Sequence, residues 1–166
     1  MEIKYYDFNT SIGKMILFFS SKGIVYLTTM INEDEGDIIK LVRNKFGQAV
    51  KVSSEQYRFH DQIIEYLTGK RKSFSLPLDL RGTDFQIKVW NELMKIPYGQ
   101  TRTYKDIAES IDVPKGYRAV GNALNKNPIL IVIPCHRVIG SDGKLTGFRG
   151  GLELKAKLLE LERSQM

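Results

Sequence analysis

The sequence predicts an α+β protein: a first half that mixes short strands with helices, then a mostly helical half that follows a helix-turn-helix plan. Three observations predict it. Residues 3–30 hold three short runs rich in β-branched and aromatic residues; two stretches of helical period follow, each closed by a glycine; and from residue 84 apolar residues recur at helical spacing. At 166 residues with 42% hydrophobic content, the chain can bury an ordinary core as one medium domain or two small ones.

The runs are 3–8 (IKYYDF), 15–20 (MILFFS) and 24–30 (IVYLTTM), separated by Ile12-Gly13-Lys14 and Ser21-Lys22-Gly23. Turn residues between strand formers read as an antiparallel meander. Helices are predicted over about 36–46, through Ile38, Leu41, Val42 and Phe46, and over about 54–68, through Tyr57, Ile63, Ile64 and Leu67, with Gly47 and Gly69 as stops. From Gly69 to Asp84 the chain is rich in charge and proline without helical period, an extended connector. The expected domains are 1–80 and 81–166. In the second, Phe85, Val89, Trp90 and Leu93 share one helical face that Pro97-Tyr98-Gly99 ends. Thr103 can cap a helix over 104–110; Asp112 to Gly116 is a turn; a small-residue helix, YRAVGNALN, runs from Tyr117 to Asn125. Helix, short turn with glycine, helix is the helix-turn-helix plan, although these residues alone fit a plain αα-hairpin as well.

Charge narrows the partner. The net charge is +6, and residues 81–166 carry 14 Lys and Arg against 9 Asp and Glu, whereas residues 1–80 carry 11 against 10. A basic excess in one half favours a polyanion. No run approaches the ~20 apolar residues of a membrane span, and MEIKYYDFNT lacks a signal peptide's plan, so a cytoplasmic protein is expected. One cysteine allows no internal disulfide and no cysteine-built zinc site, so Cys135 is either a buried small hydrophobe or a reactive thiol.

Around it the sequence reads NPILIVIPCHRVIG, an apolar run stopped by Pro134 just before Cys135 and His136. A cysteine nucleophile acts as thiolate, and a thiol of pKa about 8.5 needs a base or a positive field at neutral pH. His136 and Arg137 are the candidates. Adjacent side chains on an extended backbone diverge, so a bridging water is expected to carry the proton between Cys135 and His136, with a third group holding the imidazole.

The block Pro134-Cys135-His136-Arg137-Val138 resembles the active-site signature of the O6-alkylguanine-DNA alkyltransferases, also called methylated-DNA-protein-cysteine methyltransferases. The resemblance extends over residues 85–162: the helix from Phe85, Ile96-Pro97-Tyr98-Gly99, Thr103-Tyr104, Arg118-Ala119-Val120-Gly121, Asn127-Pro128, Gly147-Phe148-Arg149-Gly150-Gly151 and Leu158-Leu159-Glu160-Leu161-Glu162. Residues 1–80 match it only in the coarse pattern of the family's ribonuclease H-like N-terminal domain. The resemblance implies direct-reversal DNA repair: irreversible, single-turnover transfer of an alkyl group from O6 of guanine to Cys135, the damaged nucleotide being flipped out through the minor groove.

It further implies His136 as water-mediated base, Glu162 as the carboxylate orienting it, and Asn127 as the brace of the preceding turn. Tyr104 would donate to N3 of the flipped base, stabilising charge on the leaving group. The carbonyls of Cys135 and Val138 would accept from the exocyclic amine; Phe148 and Arg149 would close the alkyl pocket. Arg118 would enter the base stack in place of the flipped nucleotide, while the small Ala119 and Gly121 permit close approach to the groove. Lys105, Lys115 and Ser141 are candidate phosphate contacts.

Phe148 stands where some relatives have tyrosine, so any contact of that hydroxyl is lost. With only His60 and no cysteine in residues 1–80, no structural metal is expected, and His60 reads as a surface helix residue. The expected partner is double-stranded DNA containing O6-alkylguanine, bound by a monomer without cofactor or membrane. Competing readings are a non-catalytic binder that flags alkylated guanine, a cysteine hydrolase, and a transcriptional helix-turn-helix module.

Overall fold

The computed structural model describes residues 2–165. The chain forms two compact units, residues 1–80 and 81–166.

In the first unit β1 (Ile3–Thr10), β2 (Gly13–Ser20) and β3 (Gly23–Thr29) make an antiparallel meander. A short strand that the sequence did not announce, β4 (Ala49–Lys51), pairs parallel to β1 in the order β3-β2-β1-β4. One sheet face, with Ile3, Tyr5, Ile16, Phe18 and Val25, packs with Ile38 and Val42 of α1 (Glu35–Phe46). Gly23, at φ +149°, has no room for a side chain: a Cβ there would lie 2.5 Å from the Pro77 carbonyl. That close approach lets Ile24 donate its N–H to Pro77 (2.9 Å) and accept from Asp79 (2.8 Å), so the connector covers the edge of β3.

The predicted helix over 54–68 is shorter in the structure. α2 spans His60–Leu67, and residues 54–59 form turns in which Ser53 Oγ accepts from the Glu55 N–H. Tyr57 and Phe59 instead pack on Phe19, with ring centroids 4.7 and 5.0 Å away. His60 is buried rather than on the surface, 8% exposed, because its imidazole and backbone N–H both meet the Tyr6 hydroxyl (3.0 and 3.2 Å).

In the second unit α3 (Asp84–Leu93) begins in a Thr83/Gln86 capping box and buries Val89, Trp90 and Leu93. Trp90 Nε1 donates to the Ala123 carbonyl (2.9 Å), tying α3 to α5 (Tyr117–Asn125). Thr103 caps α4 (Tyr104–Ser110), as its position predicts, in a capping box with Asp106. α4 and α5 are the helix-turn-helix pair; α5 buries Val120, Ala123 and Leu124 and exposes Arg118, Ala119 and Asn122. β5 (Arg102–Thr103) pairs parallel to β6 (Val138–Ile139), which sets the start of α4 beside the segment that carries the cysteine. α6 (Leu152–Ser164) closes the unit. Among the described residues no helix is long and apolar enough to cross a membrane.

Candidate active site

The backbone at Cys135-His136 is a 3-10 turn rather than the extended chain expected from the sequence, and the apolar run before it is not extended either. Residues 129–133 coil into consecutive buried turns, with Ile131 at φ +75° and Ile133 donating to the Ile129 carbonyl (3.0 Å). Asn127 is the reason. Its Oδ1 accepts from the Ile129 N–H (2.9 Å) and its Nδ2 donates to the Ile133 carbonyl (2.8 Å), so one fully buried amide clips the loop at both ends. The same Nδ2 reaches Cys135 Sγ at 3.0 Å. Cys135 itself opens a 3-10 turn, Cys135–Arg137, and is 4% exposed.

Burial pushes the Cys135 thiol above its ordinary pKa; the Asn127 hydrogen bond and the positive charges of Arg149 and Lys155 oppose that rise without overcoming it. At rest the sulfur is a protonated thiol that needs a proton acceptor.

A candidate acceptor stands next in sequence. His136 is fully buried, and its Nε2 meets Glu162 Oε2 at 2.7 Å. Burial lowers its pKa, Glu162 raises it less, and the imidazole is neutral at physiological pH. The Glu162 carboxylate is 1% exposed and receives three further donors: Gly99 N–H (3.0 Å) and Arg137 Nε (2.8 Å) on Oε1, and Arg137 Nη2 (3.0 Å) on Oε2. Arg137 spends Nη1 on the Ile96 carbonyl (2.7 Å) and lies over the Tyr98 ring. A buried carboxylate left alone costs several kcal/mol, and here a guanidinium fork neutralises it while leaving one oxygen edge for the histidine. The motif around Pro97-Tyr98-Gly99 thus supplies a backbone donor to the carboxylate; Gly99 holds φ +79° there.

The remaining predicted residues form two groups. Tyr104 donates its hydroxyl to the Thr146 carbonyl and accepts from Thr146 Oγ1, both at 3.1 Å. Arg149 donates Nη2 to the Asn127 carbonyl (2.8 Å), Phe148 is half-buried beside it, and buried Val138 donates its N–H to the Cys135 carbonyl. The second group faces outward. Tyr104, Lys105, Arg118, Gly121 and Ser141 line a cavity of about 710 Å³ on the helix-turn-helix face, and Ala119 and Lys115 are exposed on α5 and in the turn before it.

Three participants escaped the sequence reading: Arg137 as the partner of Glu162, Thr146 against Tyr104, and Lys155. Lys155 is wholly buried on α6, and its Nζ donates to the carbonyls of Thr146 (2.8 Å) and Gly147 (3.4 Å). Helical spacing carried a signal for it, since Lys155 and Glu162 stand two turns apart on the face of α6 that buries Leu158. Among the described residues no cluster of His, Cys, Asp and Glu could hold a metal.

Fold and site together define a class: a buried thiol with a histidine-carboxylate-arginine network, in a unit of basic excess that also carries a helix-turn-helix. Residues 84–164 match the model of the 6-O-methylguanine DNA methyltransferase DNA-binding domain. The chain is 48% identical over 166 residues to a methylated-DNA-protein-cysteine methyltransferase of Methanosarcina barkeri, covering 98% of this chain and 99% of that one. It is 45% identical over 144 residues to the inducible methylated-DNA-protein-cysteine methyltransferase of Bacillus subtilis, covering 86% and 80%. The crystal structure of Mycobacterium tuberculosis OGT in complex with DNA superposes with a TM-score of 0.83 at 37% identity, covering 99% of this chain and 94% of that one. That of the O6-methylguanine methyltransferase of the same organism gives 0.85 at 39%, with the same coverage. The chain belongs to the methylated-DNA-protein-cysteine methyltransferase family.

Proposed function

We propose that the protein repairs DNA by taking an alkyl group from O6 of guanine onto Cys135, irreversibly and once per molecule. The observation that carries this reading is the thiol itself: the only cysteine of the chain, held by Asn127 with the His136-Glu162 pair beside it, in a chain of this family. His136 takes the thiol proton through a water, and Glu162 holds the ring in position and stabilises the imidazolium. The thiolate attacks the alkyl carbon, the bond to O6 breaks, and its electron pair passes to the purine. Tyr104 donates to N3 of the purine as that charge develops, and the carbonyls of Cys135 and Val138 select the exocyclic amine of guanine. Phe148 and Arg149 close the alkyl pocket. A thioether is a poor leaving group, so the protein is consumed.

A guanine stacked in duplex DNA cannot reach a buried sulfur, so the nucleotide must leave the helix. Residues 81–166 serve as the DNA-binding and transfer domain. α5 enters the minor groove with Arg118 filling the vacated stack and Ala119 and Gly121 against the groove floor; Lys105, Lys115 and Ser141 hold phosphates. Residues 1–80 form a ribonuclease H-like domain, a reading supported by the β-meander with a parallel fourth strand and helices. The protein works as a cytoplasmic monomer, in keeping with a free thiol that must stay reduced.

The test is mass spectrometry after mixing with a duplex containing O6-methylguanine. One added methylene on the Cys135 peptide, and none on any peptide of Cys135→Ser, is expected. Catalytic turnover, or methyl transfer to the serine variant, overturns the reading.

A further inference from the structure

The Tyr104 hydroxyl has one proton, and it is directed at the Thr146 carbonyl. Donation to a purine nitrogen therefore requires an exchange of partners, which is expensive if a carbonyl is abandoned. Here it is not. The Thr146 carbonyl also accepts from buried Lys155 Nζ, at 2.8 Å, and keeps that bond when Tyr104 turns away. Meanwhile the Thr146 hydroxyl donates to Tyr104 Oη at 3.1 Å. A phenol that accepts a hydrogen bond on oxygen is a better donor through its own proton, because the two bonds polarise each other. The next residue keeps this contact open: Gly147, at φ +40°, would place a Cβ 3.4 Å from Asn125 Oδ1 and 3.9 Å from Tyr104 Oη, so bare backbone borders the hydroxyl.

We infer that Thr146 is a positioning residue for alkyl transfer: its hydroxyl holds and polarises the Tyr104 phenol, and its Lys155-anchored carbonyl releases the phenol proton to the flipped base. The inference rests on the reading that Tyr104 donates to N3 of the substrate. No covalent bond to Thr146 forms or breaks during transfer; its carbonyl gives up the hydrogen bond from Tyr104, and the hydroxyl donation persists.

The experiment measures single-turnover transfer from duplexes carrying O6-methylguanine or its 3-deaza analogue, which has carbon in place of N3. Thr146 is exposed, so its variants are expected to fold. Thr146→Val should slow transfer from O6-methylguanine about three- to tenfold, the range one neutral hydrogen bond supports, and Thr146→Ser should restore the rate to within about twofold. On the 3-deaza substrate, and in a Tyr104→Phe background, Thr146→Val should have no effect. An equal loss on both substrates would assign Thr146 to loop packing, and an unchanged rate on O6-methylguanine would also sink the inference. Failure of the underlying reading looks different: Tyr104→Phe would then react with O6-methylguanine as fast as the unaltered protein.

Discussion

Glu162 carries the heaviest electrostatic burden of any residue in the site, since its two oxygens take two bonds from Arg137, one from Gly99 and one from His136. This arrangement sets a sign for the pH dependence. In the proposed mechanism transfer needs neutral His136, whose pKa lies below its ordinary 6.5 because burial outweighs the opposing influence of Glu162. The rate should therefore stay level as pH falls to about 6.5 and decline only below it. Glu162→Gln removes the influence that raises the pKa, so its acidic limb should move to still lower pH while the plateau drops by tenfold or more, as loss of an oriented general base implies. Stopped-flow transfer rates between pH 5 and 8 check both shifts; an acidic limb above 6.5 in the unaltered protein contradicts the assignment. Stability follows the same group. His136 takes up a proton in the unfolded chain at about 6.5 but resists it when folded, so its contribution is present above that pH and is lost as pH falls toward the folded-state value.

At the scale of elements, the loop before Cys135 depends on one amide more than on its own sequence. Five consecutive apolar residues, Ile129 to Ile133, would suit a strand, yet they form turns because Asn127 satisfies the Ile129 N–H and the Ile133 carbonyl at once. Asn127→Leu leaves both backbone groups buried without that partner, each worth about 1–3 kcal/mol. A destabilisation of roughly 3 kcal/mol in urea unfolding is expected, together with slower transfer as Cys135 Sγ loses its donor. Stability within about 0.5 kcal/mol of the unaltered protein would show that the loop holds itself. α5 offers a separate prediction, because its exposed face does not touch the thiol network. If Arg118 fills the vacated stack, Arg118→Ala should slow repair of duplex DNA while changing reaction with free O6-benzylguanine less than about twofold, since a free base needs no extrusion. Equal losses on both substrates would place Arg118 in pocket structure instead.

For the whole molecule, the basic excess of residues 81–166 gives affinity a measurable salt signature. Each phosphate neutralised adds about 0.9 to the slope of log affinity against log salt concentration. Lys105→Gln and Lys115→Gln should each lower that slope by about that amount on undamaged duplex, with little change in reaction on free base. An unchanged slope in either variant removes that lysine from the interface.

What the sequence alone determined was local. Strand runs broken by glycine turns, the Thr103 cap and the apolar face of α3 follow from propensity and period, which act over a few residues. The motif around Cys135 belongs with them: a resemblance spread over residues 85–162 named the thiol, histidine, carboxylate and asparagine without any coordinates. Tertiary structure decided everything that depends on a partner distant in the chain. β4 exists because β1 offers it an edge; α2 starts late because Tyr57 and Phe59 pack on Phe19; His60 is buried because Tyr6 gives its imidazole a hydroxyl. The charge balance of the site is of the same kind. Arg137 could have served the thiol directly, as its adjacency suggests, but 25 residues later the chain returns with Glu162, and a buried carboxylate binds a guanidinium more strongly than a thiol can. Lys155 and Thr146 likewise acquire meaning only when α6 and the loop before it fold back on Tyr104. Periodicity can announce a buried face, but which polar atoms meet there is fixed by packing, because desolvation penalises every pairing that the folded chain does not complete.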